Sequence, residues 1–334
     1  MNYKVNYPKY PYIVGWCITN KCNLRCLHCN MDSGKEWANE LTFEECCNLI
    51  DDFAKYNVKM ILFTGGEPLI REDFFDICDY AISKTINVGL TTNGTLVTDD
   101  IIENQLWKFR ALRVSLDSMV ASEHDSLRNM PGTFEKVTNS IKKMKRCGYN
   151  VSVSTCVSKR NVLSLGKMAA FLTELGVNRW CMPLLSPDGR AKEIMKDVLN
   201  PYEIRDFLYQ LNGIKKKFPQ LNVNIDIPYI VLCDELNEVD VASICPAGVT
   251  ELTIFANGDI SPCFAMVTSV GNIREVSIID VWEKHPMFEV FRNREILKGK
   301  CKECDMLMKC GGGCRANPFI MSNDYLGEDE SCWR

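Results

Sequence analysis

Eighteen cysteines fall in a chain of 334 residues, and their distribution constrains the fold more than any other feature. Three lie within residues 22–29 and seven within residues 245–332. Residues 1–11 lack a charged segment followed by a long apolar one, and no stretch reaches the ~18 uninterrupted apolar residues of a membrane span. Such a chain is expected in a reducing cytoplasm and away from membranes, where disulfides are rare. Its thiols are then metal ligands, small buried hydrophobes or reactive groups. The 39 basic and 43 acidic residues leave a net charge of −4. The basic runs at 142–146 and 215–217 read as solvated helix faces, so no nucleic-acid partner is expected.

Residues 12–18, 58–64, 86–91, 111–116, 151–157 and 178–184 are short β-branched or apolar runs, the pattern of strands. Between them, 42–56, 73–84, 99–108, 133–147 and 161–175 carry apolar residues three and four apart, the helical period. Thr42 and Glu45 suggest a capping box, and Cys147-Gly148 and Leu175-Gly176 are helix stops. Six alternations with short connections predict an α/β fold: a partial (β/α)6 TIM-like barrel with ligands at the strand C-terminal ends. A bridging region at 186–244 holds one helix over 202–218 and a possible strand over 223–227. From 245 to 334 the alternation stops, as in a small cysteine-rich domain stabilised by metal clusters rather than by a large core. The barrel core is then 1–185.

Directly after the first strand comes Cys22-Asn23-Leu24-Arg25-Cys26-Leu27-His28-Cys29, a CxxxCxxC arrangement. A cubane [4Fe–4S] cluster normally takes four thiolates, so three leave one iron open to a chelating ligand. On spacing alone, zinc held by the three thiolates and His28 is the alternative. At the next strand end stands Thr64-Gly65-Gly66-Glu67-Pro68. Its glycines allow a ligand close to the backbone, and Glu67 offers a carboxylate to an amine.

With CxxxCxHC and GGEP side by side, and with the strand ends Thr91-Thr92-Asn93-Gly94 and Ser115-Leu116-Asp117, residues 12–185 resemble the radical S-adenosylmethionine (SAM) superfamily. In that family the open iron is chelated by the amino and carboxylate groups of SAM, and the GGE segment contacts the amine. The resemblance implies Cys22, Cys26 and Cys29 as cluster ligands. It implies Gly65, Gly66, Glu67, Thr92, Asn93, Ser115 and Arg128 as SAM contacts, with Thr92 and Asn93 facing the ribose or carboxylate and Ser115 and Arg128 the carboxylate. A surface position for Arg128 and a loop-cap role for Asp117 are the bland alternatives. The implied activity is reductive cleavage of SAM to methionine and a 5′-deoxyadenosyl radical that abstracts a substrate hydrogen. A reducing partner such as flavodoxin or ferredoxin would supply the electron.

The C-terminal cysteines run Cys245, Cys263, then Cys301, Cys304, Cys310 and Cys314 as CxxCxxxxxCxxxC, then Cys332. Two structural zincs are the alternative that the CxxC pairs leave open. Residues 245–334 resemble the SPASM extension of radical SAM enzymes, which carries two auxiliary [4Fe–4S] clusters and so implies three in all. The resemblance assigns Cys245, Cys263 and Cys314 to the first and Cys301, Cys304, Cys310 and Cys332 to the second. No further cysteine stands at 247–252, where some members have one, so the first auxiliary cluster is expected to have an open or non-cysteine-ligated iron. Gly258 marks a hairpin turn and Gly311-Gly312-Gly313 a tight wrap. Cys17, Cys46, Cys47, Cys78, Cys147, Cys156, Cys181 and Cys233 read as core residues, Cys233 being the one nearest to an extra ligand or proton donor.

Enzymes of the SPASM branch most often modify a peptide or protein, by crosslinking, oxidation or precursor processing, and this is the leading expectation. Modification of a small molecule or tetrapyrrole is the alternative, and a zinc-stabilised non-enzymatic module a remote third. Sulfatase-maturing relatives place an aspartate where this chain has Phe264, which argues against that activity. Only 21 residues precede Cys22, so peptide recognition would fall to a separate recognition protein or to the barrel and bridge. The segment from Leu184 to Ala191 resembles a loop found in several branches, including those acting on haem precursors. Tyr202, Tyr229 and Trp282 are candidates for a pocket or for the core. No general base stands out; Asp226, Asp234 and Glu251 read as surface carboxylates.

Overall fold

The structure, a computed structural model, describes residues 4–225, 228–233 and 245–334. Asp226 and Asp234 lie outside the described residues. The strands β1 (Ile13–Thr19), β2 (Met60–Gly65), β3 (Asn87–Thr92), β4 (Phe109–Ser115), β5 (Val151–Ser154), β6 (Arg179–Cys181) and β7 (Asn222–Asn224) form consecutive parallel pairs. Then β8 (Glu251–Ile254) adds in parallel to the free side of β1, and β9 (Ile260–Ser261) closes a hairpin with β8. The expected six-strand barrel core is therefore extended on both sides, and the cysteine-rich region is joined to it through β8.

Helices α1 (Phe43–Lys55), α2 (Phe74–Ser83), α3 (Asp99–Asn104), α4 (Ala121–Arg128), α5 (Thr133–Arg146), α6 (Leu165–Glu174) and α7 (Pro201–Lys217) fill the crossovers. The short helices α8 (Ile278–Lys284), α9 (Pro286–Arg292), α10 (Leu307–Cys310) and α11 (Ala316–Ser322) follow the hairpin. Thr42 and Glu45 make the expected capping box, and Gly148 and Gly176 take positive φ after α5 and α6. α4 was not expected from periodicity. It is short, and only His124, Leu127 and Arg128 of it are buried, too few to reveal a helical stripe. Past 154 and 181 the regular ladder ends in single contacts, Thr155 N–H to Cys181 O at 2.9 Å, Met182 N–H to Asn224 O at 3.1 Å and an isolated Val157–Leu184 bridge.

Each central strand has two unlike faces. In β1, Val14, Trp16 and Ile18 pack outward against helices, while Gly15, Cys17 and Thr19 face the barrel interior. Strand ends from β1 through β6 line one common cavity, which requires the sheet to curl into the partial barrel. Trp282 and Tyr229 are buried and Tyr202 is exposed at the start of α7, so none of the three lines that cavity. Of the eight unassigned cysteines, Cys17, Cys46, Cys78, Cys181 and Cys233 are buried and Cys47 and Cys156 partly so. Cys147 is exposed, because it caps α5 rather than facing the core.

Trp16 is fully buried between Phe53 of α1 and Phe63 of β2, with ring centroids 5.9 and 5.7 Å away. Trp16→Ala is expected to lower the unfolding free energy by about 3–5 kcal/mol, measured by denaturant titration. A loss below about 1 kcal/mol would show that this layer does not anchor the sheet.

Candidate active site

The loop carrying Cys22, Cys26 and Cys29 has no regular structure of its own, so distant segments must hold it. Gly66 presses on it from the end of β2: a Cβ there would stand 2.1 Å from the Lys21 carbonyl oxygen, and one on Gly65 would stand 2.4 Å from that of Thr19. These glycines serve backbone approach, as expected, but the neighbour is the cysteine loop itself. Asn93, after β3, donates from Nδ2 to Asn23 Oδ1 at 2.9 Å. From the far side, the Leu27 N–H donates to the Leu127 carbonyl at 2.9 Å. The segment after β6 completes the clasp: Arg190 donates from its backbone N–H to Cys29 O at 3.0 Å and from Nε to Cys26 O at 2.9 Å. Gly189 beside it leaves no room for a Cβ against Asn30 and Cys29. Sequence reading singled out this Pro-Asp-Gly-Arg segment without its role. The signal is an arginine after a glycine in a loop, but its partner lies 164 residues upstream.

Arg128 is buried, not on the surface. Its Nε donates to Asp117 Oδ2 at 2.7 Å and its Nη1 lies 3.7 Å from Cys26 Sγ. Asp117 is likewise 2% exposed and also accepts the Cys156 N–H at 3.0 Å. Burial alone would raise the Asp117 carboxyl, but Arg128, with His28 and His124, outweighs it and holds the value down to about 2. His124 is neutral by construction: its Nδ1 accepts the Asp117 N–H at 3.2 Å, and burial pushes its value down to about 4. His28 is partly buried, with a shielded and unpartnered Nδ1, and is also pushed down to about 4, chiefly by desolvation.

Glu67 stands elsewhere than expected. Its carboxylate is fully buried behind the cavity wall, accepting from Thr92 Oγ1 at 2.8 Å, the Asn93 N–H at 2.7 Å and the Leu69 N–H at 3.3 Å. It thereby ties the end of β2 to the end of β3, and burial pushes its value up to about 7. The Thr92 hydroxyl is committed to this contact.

Within a cavity of about 300 Å³, Cys22, Cys26 and Cys29 meet Gly65, Gly66, Thr92, Asn93, Ser115 and Arg128. Glu67 is the one residue of the expected set that does not line it. Phe264 and Ala265, from the C-terminal region, complete the wall. Backbone N–H groups point at the sulfurs: Leu24 N to Cys22 Sγ at 3.4 Å and Ser33 N to Cys29 Sγ at 3.3 Å. Burial pushes the Cys22 thiol up to about 11 and raises Cys26, so these sulfurs keep their protons unless a metal takes their place.

In the C-terminal region, Cys301, Cys304, Cys310 and Cys332 line one small apolar cavity. Cys245, Cys263 and Cys314 are partly buried neighbours; desolvation first, and then the neighbouring thiols, raises Cys245 and Cys263, while desolvation and Asp329 raise Cys314. Ala265 N donates to Cys263 Sγ at 3.3 Å. Glu251, far from an ordinary surface carboxylate, is half-buried beside Cys245 and Cys263. Among the described residues, no group of three or more His, Cys, Asp or Glu side chains gathers tightly enough for a single metal ion.

The family model for the radical SAM superfamily matches residues 16–172, and that for the SPASM iron–sulfur cluster-binding domain matches residues 245–305. This chain belongs to the radical SAM superfamily, in its SPASM branch. It is 32% identical to the AdoMet-dependent heme synthase of Methanosarcina barkeri, with 96% of each chain covered. It is 26% identical to the mycofactocin maturase MftC of Mycobacterium tuberculosis, over 96% of this chain and 83% of that one. Its fold matches Streptococcus suis SuiB bound to S-adenosylmethionine with a TM-score of 0.80 at 19% identity, covering 98% of this chain and 78% of SuiB. The chain is thus a SAM- and iron–sulfur-binding enzyme, and no helix among the described residues is long and apolar enough to cross a membrane. Two of the donor sets fit such clusters, since one cavity gathers Cys22, Cys26 and Cys29 with N–H groups aimed at their sulfurs and another gathers Cys301, Cys304, Cys310 and Cys332.

Asp117→Asn leaves Arg128 charged and unpaired in a buried site and is expected to cost about 3–5 kcal/mol at neutral pH. Because the folded value of Asp117 is depressed, that stabilisation is complete above its usual 3.8 and fades as pH falls through about 2. Denaturant unfolding of both proteins at pH 7 and at the lowest pH where they remain folded checks this. A difference between the proteins that stays constant or widens as pH falls would contradict it.

Proposed function

We propose that Cys22, Cys26 and Cys29 hold the SAM-binding [4Fe–4S] cluster, and that SAM occupies the cavity they share with Gly65, Gly66, Thr92, Asn93, Ser115 and Arg128. The observation that carries this is the meeting of the three thiols with the glycine-bearing end of β2 in one cavity. When bound, cluster and cofactor supply an electron transfer that splits SAM to methionine and a 5′-deoxyadenosyl radical able to take a substrate hydrogen. The chain's own part is positional. Arg190 and Gly66 fix the loop, Arg128 sets a positive charge beside Cys26, and Phe264 shields the cavity from water. Cys245, Cys263 and Cys314 would hold a first auxiliary cluster and Cys301, Cys304, Cys310 and Cys332 a second, a route for the electron left after hydrogen abstraction or an anchor for substrate.

The substrate read first is a ribosomally made peptide or protein. Supporting it are the likeness to a mycofactocin maturase and a fold shared with SuiB, which has been solved with its precursor peptide SuiA. The second reading is a tetrapyrrole or other small molecule, favoured by the 32% identity to a heme synthase along the whole chain. A flavodoxin or ferredoxin would be the reductant, and the cytoplasm the place of work.

Anaerobically reconstituted protein is expected to hold about twelve irons with matching sulfide, and to form 5′-deoxyadenosine from SAM under reduction. Zinc at two or three per chain with no 5′-deoxyadenosine would sink the reading. Cys245→Ala and Cys263→Ala should each lose about four irons per chain and abolish product formation; full iron content would remove the first auxiliary site. Mass spectrometry after incubation with a precursor peptide encoded beside the gene separates the substrates, a peptide enzyme giving loss of two hydrogens or two joined sites.

A further inference from the structure

The interior face of the barrel carries two cations that the site above does not use. On β4, Leu112 and Val114 are buried against the helices, so Ala111, Arg113 and Ser115 face inward. On β6, Trp180 is fully buried on the helix side, which turns Arg179 and Cys181 inward. The pairing register sets Thr91, Arg113, Ser152 and Arg179 side by side across β3 to β6. Thr91, at one end of this row, lines the SAM cavity, as does Ser115, two residues beyond Arg113.

Arg113 is half-buried and Arg179 exposed, and neither makes an ion pair or a side-chain hydrogen bond among the described residues. Between them Ser152 contributes a small side chain whose hydroxyl is turned away to Leu112 O at 2.6 Å. The two Cα positions are two strands apart, about 10 Å at ordinary strand spacing. The interior carboxylate on the described strands, Glu251, sits on β8 against Gly15, four strands from Arg113. Register thus puts two permanent cations on one face of the sheet with only Ser152 between them. An anion between them accepts two charge-assisted, fork-shaped contacts.

We propose that Arg113 and Arg179 form a carboxylate-recognition site for the substrate, on the β4–β6 side of the barrel and next to the SAM cavity. This deepens the function proposed above and rests on it, because it names the substrate class as one bearing carboxylates within reach of the hydrogen taken. A propionate-bearing tetrapyrrole and an acidic peptide share that chemistry. Neither arginine touches the cysteine loop, Asp117 or Glu67, so the pair is separable from the SAM site.

The test uses cluster-loaded, SAM-bound full-length protein. A tetracarboxylate porphyrin is titrated against its tetramethyl ester by fluorescence, and hexaglutamate against hexaglutamine by calorimetry. In the wild type the acid form of at least one pair is expected to bind roughly tenfold to a hundredfold more tightly than its neutral form. Arg113→Gln with Arg179→Gln should erase that preference while the neutral form binds as before. Arg113→Lys keeps the charge without the planar fork and should retain part of the preference, which keeps the test usable where the double variant does not fold. Preference in the porphyrin pair identifies a small polycarboxylate, and in the peptide pair an acidic peptide. Equal binding of acid and neutral forms in both pairs, or a preference that survives the double substitution, overturns the site. Failure of the reduced wild type to form 5′-deoxyadenosine is a different result and strikes the proposed function instead.

Discussion

The contact on which this molecule depends is the grip on the cysteine loop. Residues 22–29 have no ladder and no helix to fix them, yet their sulfurs must present themselves to one cavity. Rigidity comes from outside, through the close approach of Gly66, the Leu127 carbonyl and the Arg190 contacts to Cys26 and Cys29. Since these come from β2, α4 and the segment after β6, the loop is in place only when the barrel has closed around it.

Beneath that grip lies a polar layer that is buried at a cost. Asp117, Arg128, His124 and Glu67 are all shielded from water, and each is stabilised by its own partners. Glu67 has three donors but feels the Arg128 charge only weakly, so burial dominates and its value rises. Asp117 has a guanidinium at 2.7 Å, so Coulomb attraction dominates and its value falls. The same residue chemistry thus gives opposite results within one site, decided by the presence of an opposite charge. Neither carboxylate faces the cavity as a free base, in keeping with chemistry begun by an electron rather than by a proton.

The C-terminal region is bound to the barrel by backbone hydrogen bonds and not only by side-chain packing. β8 continues the sheet beyond β1, with Ile13 opposite Glu251 and Trp16 opposite Ile254. The hairpin turn at Gly258 then returns the chain, and Phe264 reaches the cavity of the cysteine loop directly after Cys263. A wall residue of that cavity and a thiol of the C-terminal set, Cys263, are thus adjacent in the chain, which fixes their separation more tightly than a flexible linker could. At the far end Asp329 accepts the Cys314 N–H at 2.6 Å and also the Tyr229 hydroxyl, joining the bridge to the last cysteines.

What the amino-acid sequence determined by itself is what local rules control. Strand and helix alternation follows from hydrophobic period, the stops at Gly148 and Gly176 from backbone freedom, and the closeness of Cys22, Cys26 and Cys29 from their spacing along the chain. Those features were legible because each depends on residues a few positions apart. Tertiary structure decided the rest: that Arg128 is buried against Asp117 and Cys26, that Glu67 braces β3 behind the cavity, that Arg190 clasps a loop 164 residues away, and that Arg113 and Arg179 share one row. Each of these rests on register between strands or on contact between remote loops. A charged side chain reads the same in sequence whether water or an opposite charge awaits it, and only packing chooses between them.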